Sequence, residues 1–214
     1  MFDRWIREVT AEEFLETSFG RTPVSMPSVA RSAIPFLTWE TIEQLIDSGT
    51  NPDMLVVRNG KLRDEKSVTT FAAARELFRD GWSLVLRRCE RHDPRLRLLA
   101  DAFEAALPGE VSIQIYATPA TYQSFSWHYD CEDVFIAQTG GVKEYFLREN
   151  TVNPRPRLSA MPRDMQAERE TSPAMAATLI PGDWLYIPRG WWHVARSIES
   201  SLSISVGVLA PDAR

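Results

Sequence analysis

Residues 128–148 read His-Tyr-Asp-Cys-Glu-Asp-Val-Phe-Ile-Ala-Gln-Thr-Gly-Gly-Val-Lys-Glu-Tyr-Phe-Leu-Arg. Two β-type runs, Val134–Gln138 and Val142–Arg148, flank the turn Thr139-Gly140-Gly141, so the stretch predicts two short strands joined by a turn. The pattern continues on both sides. Val111–Ala117, Ala177–Ile180, Trp184–Ile187, Trp192–Ser197 and Leu202–Leu209 are further short β-rich runs separated by Gly, Pro and Asn. Short strands in such density predict a small barrel or a double-sheet jelly roll.

Upstream the pattern is different. Thr10-Ala-Glu-Glu13 is a capping box that opens a helix from about Ala11 to Ser18. Pro23 and Pro27 mark an extended passage, after which Trp39, Ile42, Leu45 and Ile46 fall on one helical face. A helix near Thr69–Asp80 lies between two strand-like runs, Met54–Arg58 and Trp82–Arg87. Asp93-Pro94 supplies an N-cap and a proline at the first helical position, for a helix that runs to Leu107. Helices first and strands afterwards predict an α+β fold in one domain, 1–214, in which residues 1–110 form a mainly helical buttress and residues 111–214 the β core. Residues 149–174, with Pro154, Pro156, Pro162 and Pro173, read as a long loop insertion, either a solvated surface loop or a lid beside the barrel mouth.

Composition excludes several classes. At 214 residues the chain can build a core without disulfides or a structural metal. Three histidines and two cysteines, with no C-x-x-C pair, are too few for classical zinc fingers or iron–sulfur clusters. A net charge of −5 and a pI near 5.3 disfavour nucleic acid as a partner. The chain has no run of 18 apolar residues, and its charged opening, Met1 to Arg7, lacks the apolar core of a secretion signal. These features predict no membrane partner and a cytoplasmic setting with both thiols free.

The chemistry is concentrated in His128 and Asp130. On an extended chain, residues i and i+2 share a face, so an imidazole and a carboxylate can meet at one point. A second imidazole is needed. His193 closes the frame Pro181-Gly-Asp…Pro188-Arg-Gly-Trp-Trp-His193, whereas His92 lies at a polar helix start, and the pattern favours His193. Two histidines and one carboxylate make the facial set that holds Fe(II) with open positions. Trp127, Trp191 and Trp192 flank these ligands and are read as barrel filling, as are the thiols of Cys89 and Cys131.

The run from Tyr116 through Trp127-His128-Tyr-Asp130 to Thr139-Gly-Gly-Val-Lys143 resembles the core of JmjC-type cupin oxygenases. It is most like their ribosomal-oxygenase branch and more distantly like the hypoxia-inducible-factor asparaginyl hydroxylase. The likeness reaches upstream through Glu13-Phe-Leu…Pro23, Leu37-Thr-Trp-Glu40 and Ser83-Leu-Val-Leu-Arg87, and downstream through the Pro-Gly-Asp…Trp-Trp-His frame. It implies a double-stranded β-helix, Fe(II) on His128, Asp130 and His193, and 2-oxoglutarate whose far carboxylate pairs with Lys143. It also implies a hydroxyl from Tyr116 on that carboxylate, and hydroxylation or N-demethylation of a side chain in a peptide or protein substrate. Gly207 stands where the asparaginyl hydroxylase carries an asparagine. The likeness ends at Arg214, before the dimerisation helices and winged-helix segment of full-length ribosomal oxygenases, so a shorter peptide becomes an alternative to a ribosomal protein. The acidic balance favours a basic substrate. Two rival readings stay open: a cupin metalloenzyme that does not use 2-oxoglutarate, and a barrel that binds a peptide without turnover.

Overall fold

The computed structural model describes residues 11–49, 53–63, 68–162 and 164–214. Thr10 of the expected capping box and the charged opening lie outside them. In chain order the regular elements begin with α1 (Ala11–Thr17), β1 (Val24–Met26), α2 (Trp39–Asp47), β2 (Asp53–Arg58), β3 (Lys61–Leu62) and α3 (Phe71–Arg79). They continue with β4 (Ser83–Arg87), α4 (Pro94–Ala106), β5 (Glu110–Thr118), β6 (Asp133–Gly140), β7 (Lys143–Arg148), β8 (Met175–Leu179), β9 (Trp184–Ile187), β10 (Trp192–Ser197) and β11 (Ser201–Leu209). The helix starts follow the sequence chemistry. Asp93 accepts from the amides of Arg95 at 2.7 Å and Leu96 at 3.2 Å, and Thr70 accepts from Ala73 at 3.3 Å. No described helix is long and apolar enough to cross a membrane.

Two sheets form the β core. The larger has the order β1-β9-β6-β11-β5-β4-β2-β3, and the smaller the order β10-β7-β8. All their pairings are antiparallel. β2 and β4, in the half read as a buttress, therefore extend the larger sheet beyond β5. The turn between β6 and β7 needs Gly141, at φ +63°, because a Cβ there would run into the Ser200 carbonyl.

Strand alternation divides the interior in two. On β6, Phe135 and Ala137 join the cluster under the helices, while Val134 and Ile136 join a second cluster between the sheets. β9 does the same, with Trp184 and Tyr186 on the helical side and Leu185 and Ile187 between the sheets. On β5 and β11 the buried aliphatic residues face the helices. Their other faces carry Gln114, Tyr116 and Thr118, and Ser203, Ser205 and Gly207, so the space between the sheets has a polar wall.

Phe135 ties the helical layer to the larger sheet. Its ring lies 5.1 Å from Phe103 of α4, 5.9 Å from Phe14 of α1 and 4.8 Å from Tyr186 of β9, centroid to centroid. Phe135→Ala should therefore lower the unfolding free energy by about 3–5 kcal/mol, measured by urea denaturation. A loss under about 1 kcal/mol would show that this cluster does not hold the layers together.

Candidate active site

His128 and Asp130 lie just before β6, and His193 is the second residue of β10. The two histidines meet through a reciprocal backbone pair. His128 N donates to His193 O at 3.1 Å and His193 N to His128 O at 2.7 Å, which adds the His-Tyr-Asp segment to the smaller sheet beside β10. Extended backbone then turns Tyr129 outward, against Trp192 at 4.7 Å, and leaves His128 and Asp130 on the inner face. One ligand atom from each of His128, Asp130 and His193 lies within 4.8 Å of the others. Among the described residues this is the group of His, Cys, Asp and Glu side chains that could hold a metal ion.

The outer nitrogens of both rings are occupied. His128 Nδ1 lies 2.8 Å from the Ser126 carbonyl and His193 Nδ1 3.0 Å from that of Trp191. A carbonyl only accepts, so each Nδ1 carries the proton and each Nε2 keeps its lone pair for the centre. Burial, together with the neighbouring His128, pulls His193 down to about 4. It is a neutral imidazole near neutral pH, the form that ligates. Two imidazoles and a carboxylate on one face fit a divalent first-row ion with positions left open.

A cavity of about 270 Å³ extends from this point between the sheets. At one end Lys143 is 3% exposed, and its Nζ has one weak hydrogen bond, to Thr118 Oγ1 at 3.4 Å. It forms no ion pair among the described residues, and burial pulls it down to about 8. The Tyr116 and Tyr145 rings stand 5.2 and 5.7 Å from Nζ. The Tyr116 hydroxyl donates to Gln114 Oε1 at 3.0 Å, while Tyr145 bonds to Ser203. A buried ammonium without an anion fits a ligand carboxylate, and the residues present therefore suit an oxo acid as well as a metal.

Several lining residues were not foreseen. Tyr145 follows Lys143 by two positions on β7, Ser203 and Ser205 alternate on β11, and Glu132 follows Asp130 by two. The period of two was the available signal. Burial, with Asp130 and Glu110 nearby, pushes the Glu132 carboxyl up to about 7. Trp127 and Trp192 do not line this cavity; they wall a separate one with Arg148 and Met165. His92 sits at the end of a 3-10 turn away from the site, and Cys89 and Cys131 are free and buried.

The loop at 149–174 packs behind the ligands. The Glu170 carboxylate accepts from the amides of Thr151 at 2.8 Å, Thr171 at 2.9 Å and Ser172 at 3.0 Å. Asn153 Nδ2 donates to the Tyr129 hydroxyl at 3.2 Å, which links the loop to the residue between the ligands. No described residue of the loop lines the main cavity.

A family model described as a JmjC domain matches residues 88–214, more than half of the chain. The bifunctional lysine-specific demethylase and histidyl-hydroxylase NO66 of Dictyostelium discoideum is 32% identical over 135 residues, covering 61% of this chain and 26% of that protein. The NO66 protein of Drosophila melanogaster is 27% identical over 205 residues, covering 93% of this chain and 31% of its own length. Among solved structures, the Escherichia coli ribosomal oxygenase YcfD, in complex with cobalt and 2-oxoglutarate, superposes with a TM-score of 0.67 at 21% identity. That superposition covers 95% of this chain and 52% of YcfD. The chain thus spans about a third or less of the NO66 proteins and about half of YcfD. The two-sheet core, the inward His-Asp-His set and the family match over residues 88–214 agree, and the chain belongs to the JmjC domain family.

Proposed function

We propose that this protein is an Fe(II)- and 2-oxoglutarate-dependent oxygenase that hydroxylates a side chain of a peptide or protein. One observation carries the reading: the His128-Asp130-His193 set and the unpaired ammonium of Lys143 line one cavity. A cupin metalloenzyme without 2-oxoglutarate has no need of a cation buried there. A barrel that only binds peptides has no need of two imidazoles held with their lone pairs inward. The names of the NO66 and YcfD relatives support the same class, and an acidic chain supports a basic partner. The free, buried thiols of Cys89 and Cys131 are consistent with a reducing, cytoplasmic setting.

Bound Fe(II) and 2-oxoglutarate would supply the oxidative chemistry, with succinate and carbon dioxide as co-products of hydroxylation. The protein supplies geometry. The Ser126 and Trp191 carbonyls hold the imidazole rings of His128 and His193 in the tautomer that ligates. Lys143 offers its proton-bearing Nζ to the far carboxylate of the oxo acid, and that anion would raise its affinity for the proton again. Val134, Ile136 and Ala195 give the cavity an apolar side that excludes water. Tyr116 lines the same cavity with its ring 5.2 Å from Lys143 Nζ, and its hydroxyl, which donates to Gln114 Oε1, would have to exchange that partner to reach the carboxylate.

Asp130→Ala should reduce succinate formation from 2-oxoglutarate, and weaken Mn(II) binding, by at least about tenfold. Succinate is followed by mass spectrometry and Mn(II) by calorimetry. Equal succinate from both proteins would overturn the oxygenase reading.

Lys143→Met should raise the 2-oxoglutarate requirement steeply and yet stabilise the ligand-free protein. Lys143 titrates near 8 when folded and near 10.5 when unfolded, so below pH 8 its burial costs about 3 kcal/mol. Between those values the unfolded chain holds more protons, and wild-type stability rises with pH through that window. Thermal midpoints at pH 7 and pH 10 should show the advantage of Lys143→Met shrinking at the higher pH. A wild type more stable than Lys143→Met at pH 7 would show that the ammonium has an anionic partner.

A further inference from the structure

His128, Asp130 and Glu132 lie at successive alternate positions, and all three line the main cavity. The third is outside the group that could hold the metal. Glu132 has no hydrogen-bond or ion-pair partner among the described residues, and the charged groups that act on it, Asp130 and Glu110, are both acidic. Its position is made possible by Gly207 of β11. A Cβ at residue 207 would lie 2.5 Å from Glu132 Oε2, so the carboxylate occupies the space that a side chain there would fill. The barrel wall is thus recessed at the point where Glu132 rests.

The charges of the loaded site isolate this group. Asp130 and 2-oxoglutarate carry three negative charges, and a divalent ion with Lys143 carries three positive ones. These cancel. Arg87 also lines the cavity, but it is held by Asp53 at 2.6 Å, and that pair cancels too. Glu132 is left as the one acidic group without a compensating cation among the cavity's described lining residues, half-buried in the cavity wall.

We infer that Glu132 is a specificity-determining residue, which selects a substrate side chain bearing a cation, an ammonium or guanidinium, over a neutral one of the same shape. The inference rests on the oxygenase reading. A carboxylate withdrawn from water without a partner is unfavourable, and a cationic side chain entering the cavity would relieve that penalty through a charge-assisted hydrogen bond. A neutral isostere would leave it unrelieved, which is how a buried polar group generates discrimination.

The test uses five pools of blocked nonapeptides with randomised flanks and a fixed central arginine, lysine, citrulline, norleucine or glutamate. Wild type, Glu132→Gln and Glu132→Lys are loaded with Zn(II) and 2-oxoglutarate, which cannot turn over, and peptide retention is read by mass spectrometry. Salt at about 0.5 M suppresses the general pull of the acidic chain on basic peptides. Wild type should retain the arginine or lysine pool at least tenfold over citrulline and norleucine. Glu132→Gln should bring that ratio close to one, and Glu132→Lys should favour the glutamate pool. Should Glu132→Lys fail to fold, the isosteric Glu132→Gln decides alone. No cationic preference in wild type, or a preference that survives in Glu132→Gln, overturns the role of Glu132.

The same pools are then offered to the Fe(II) enzyme, with succinate and a +16 Da product as readouts. Cationic retention without succinate would leave Glu132 in place and remove the oxygenase reading. Succinate without cationic preference would do the reverse.

Discussion

The site depends on the two backbone hydrogen bonds that join His128 to His193. They connect residues 65 positions apart and fix where each Cα stands; side-chain direction then follows from the pleat. A closely paired antiparallel residue couple brings its side chains together on one face. That accounts for imidazole rings 4.2 Å apart, centroid to centroid, with Asp130 Oδ2 3.5 Å from His193 Nε2. Everything behind the pair keeps this segment in place. Trp192 packs on Tyr129, Tyr129 bonds to Asn153, and the loop that carries Asn153 is fastened by Glu170.

The larger sheet resolves a conflict between stability and function by using its two faces differently. Ile113, Ile115, Ile204, Val206 and Val208 point to the helices and make the core that stabilises the chain. The same strands present hydroxyl, amide and phenol groups to the other side, where a purely stable protein would place more apolar residues. The buried ammonium of Lys143 is the extreme case, because its own desolvation opposes folding. Helical packing on the far face is what lets the near face remain polar.

Much of this was legible from residue order. Trp184–Ile187 and Trp192–Ser197 form strands with the bounds their composition predicts, and β5 and β11 extend the expected runs by a residue at one or both ends. His128, Asp130 and His193 come together because their spacing needed only a strand and one more pairing. Less legible was what depends on which strand lies beside which. β2 and β4 read as short runs among helices, yet β4 pairs with β5 and β2 with β4, so they widen the larger sheet. Tyr145 and Ser203 are unremarkable residues until β7 and β11 face each other across the cavity. The loop at 149–174 had a composition that fits both lid and surface insertion. Its tether to Tyr129 is a long-range hydrogen bond that no local pattern encodes.

The separation of Lys143 from Asp130 follows from the same frame. In a flexible chain a buried ammonium and a nearby carboxylate would find each other, and neither would then be available to a ligand. Here Asp130 is held by the segment paired to β10, while Lys143 begins β7, whose partners are β8 and β10. The Tyr116 and Tyr145 rings stand close to Nζ and offer their faces to the cation, a partial substitute for water that accepts no proton and forms no ion pair. The ammonium is thereby kept in the interior and kept unpaired. Rigid strands hold the charges apart, and the aromatic walls make the buried ammonium tolerable until a ligand carboxylate pairs with it.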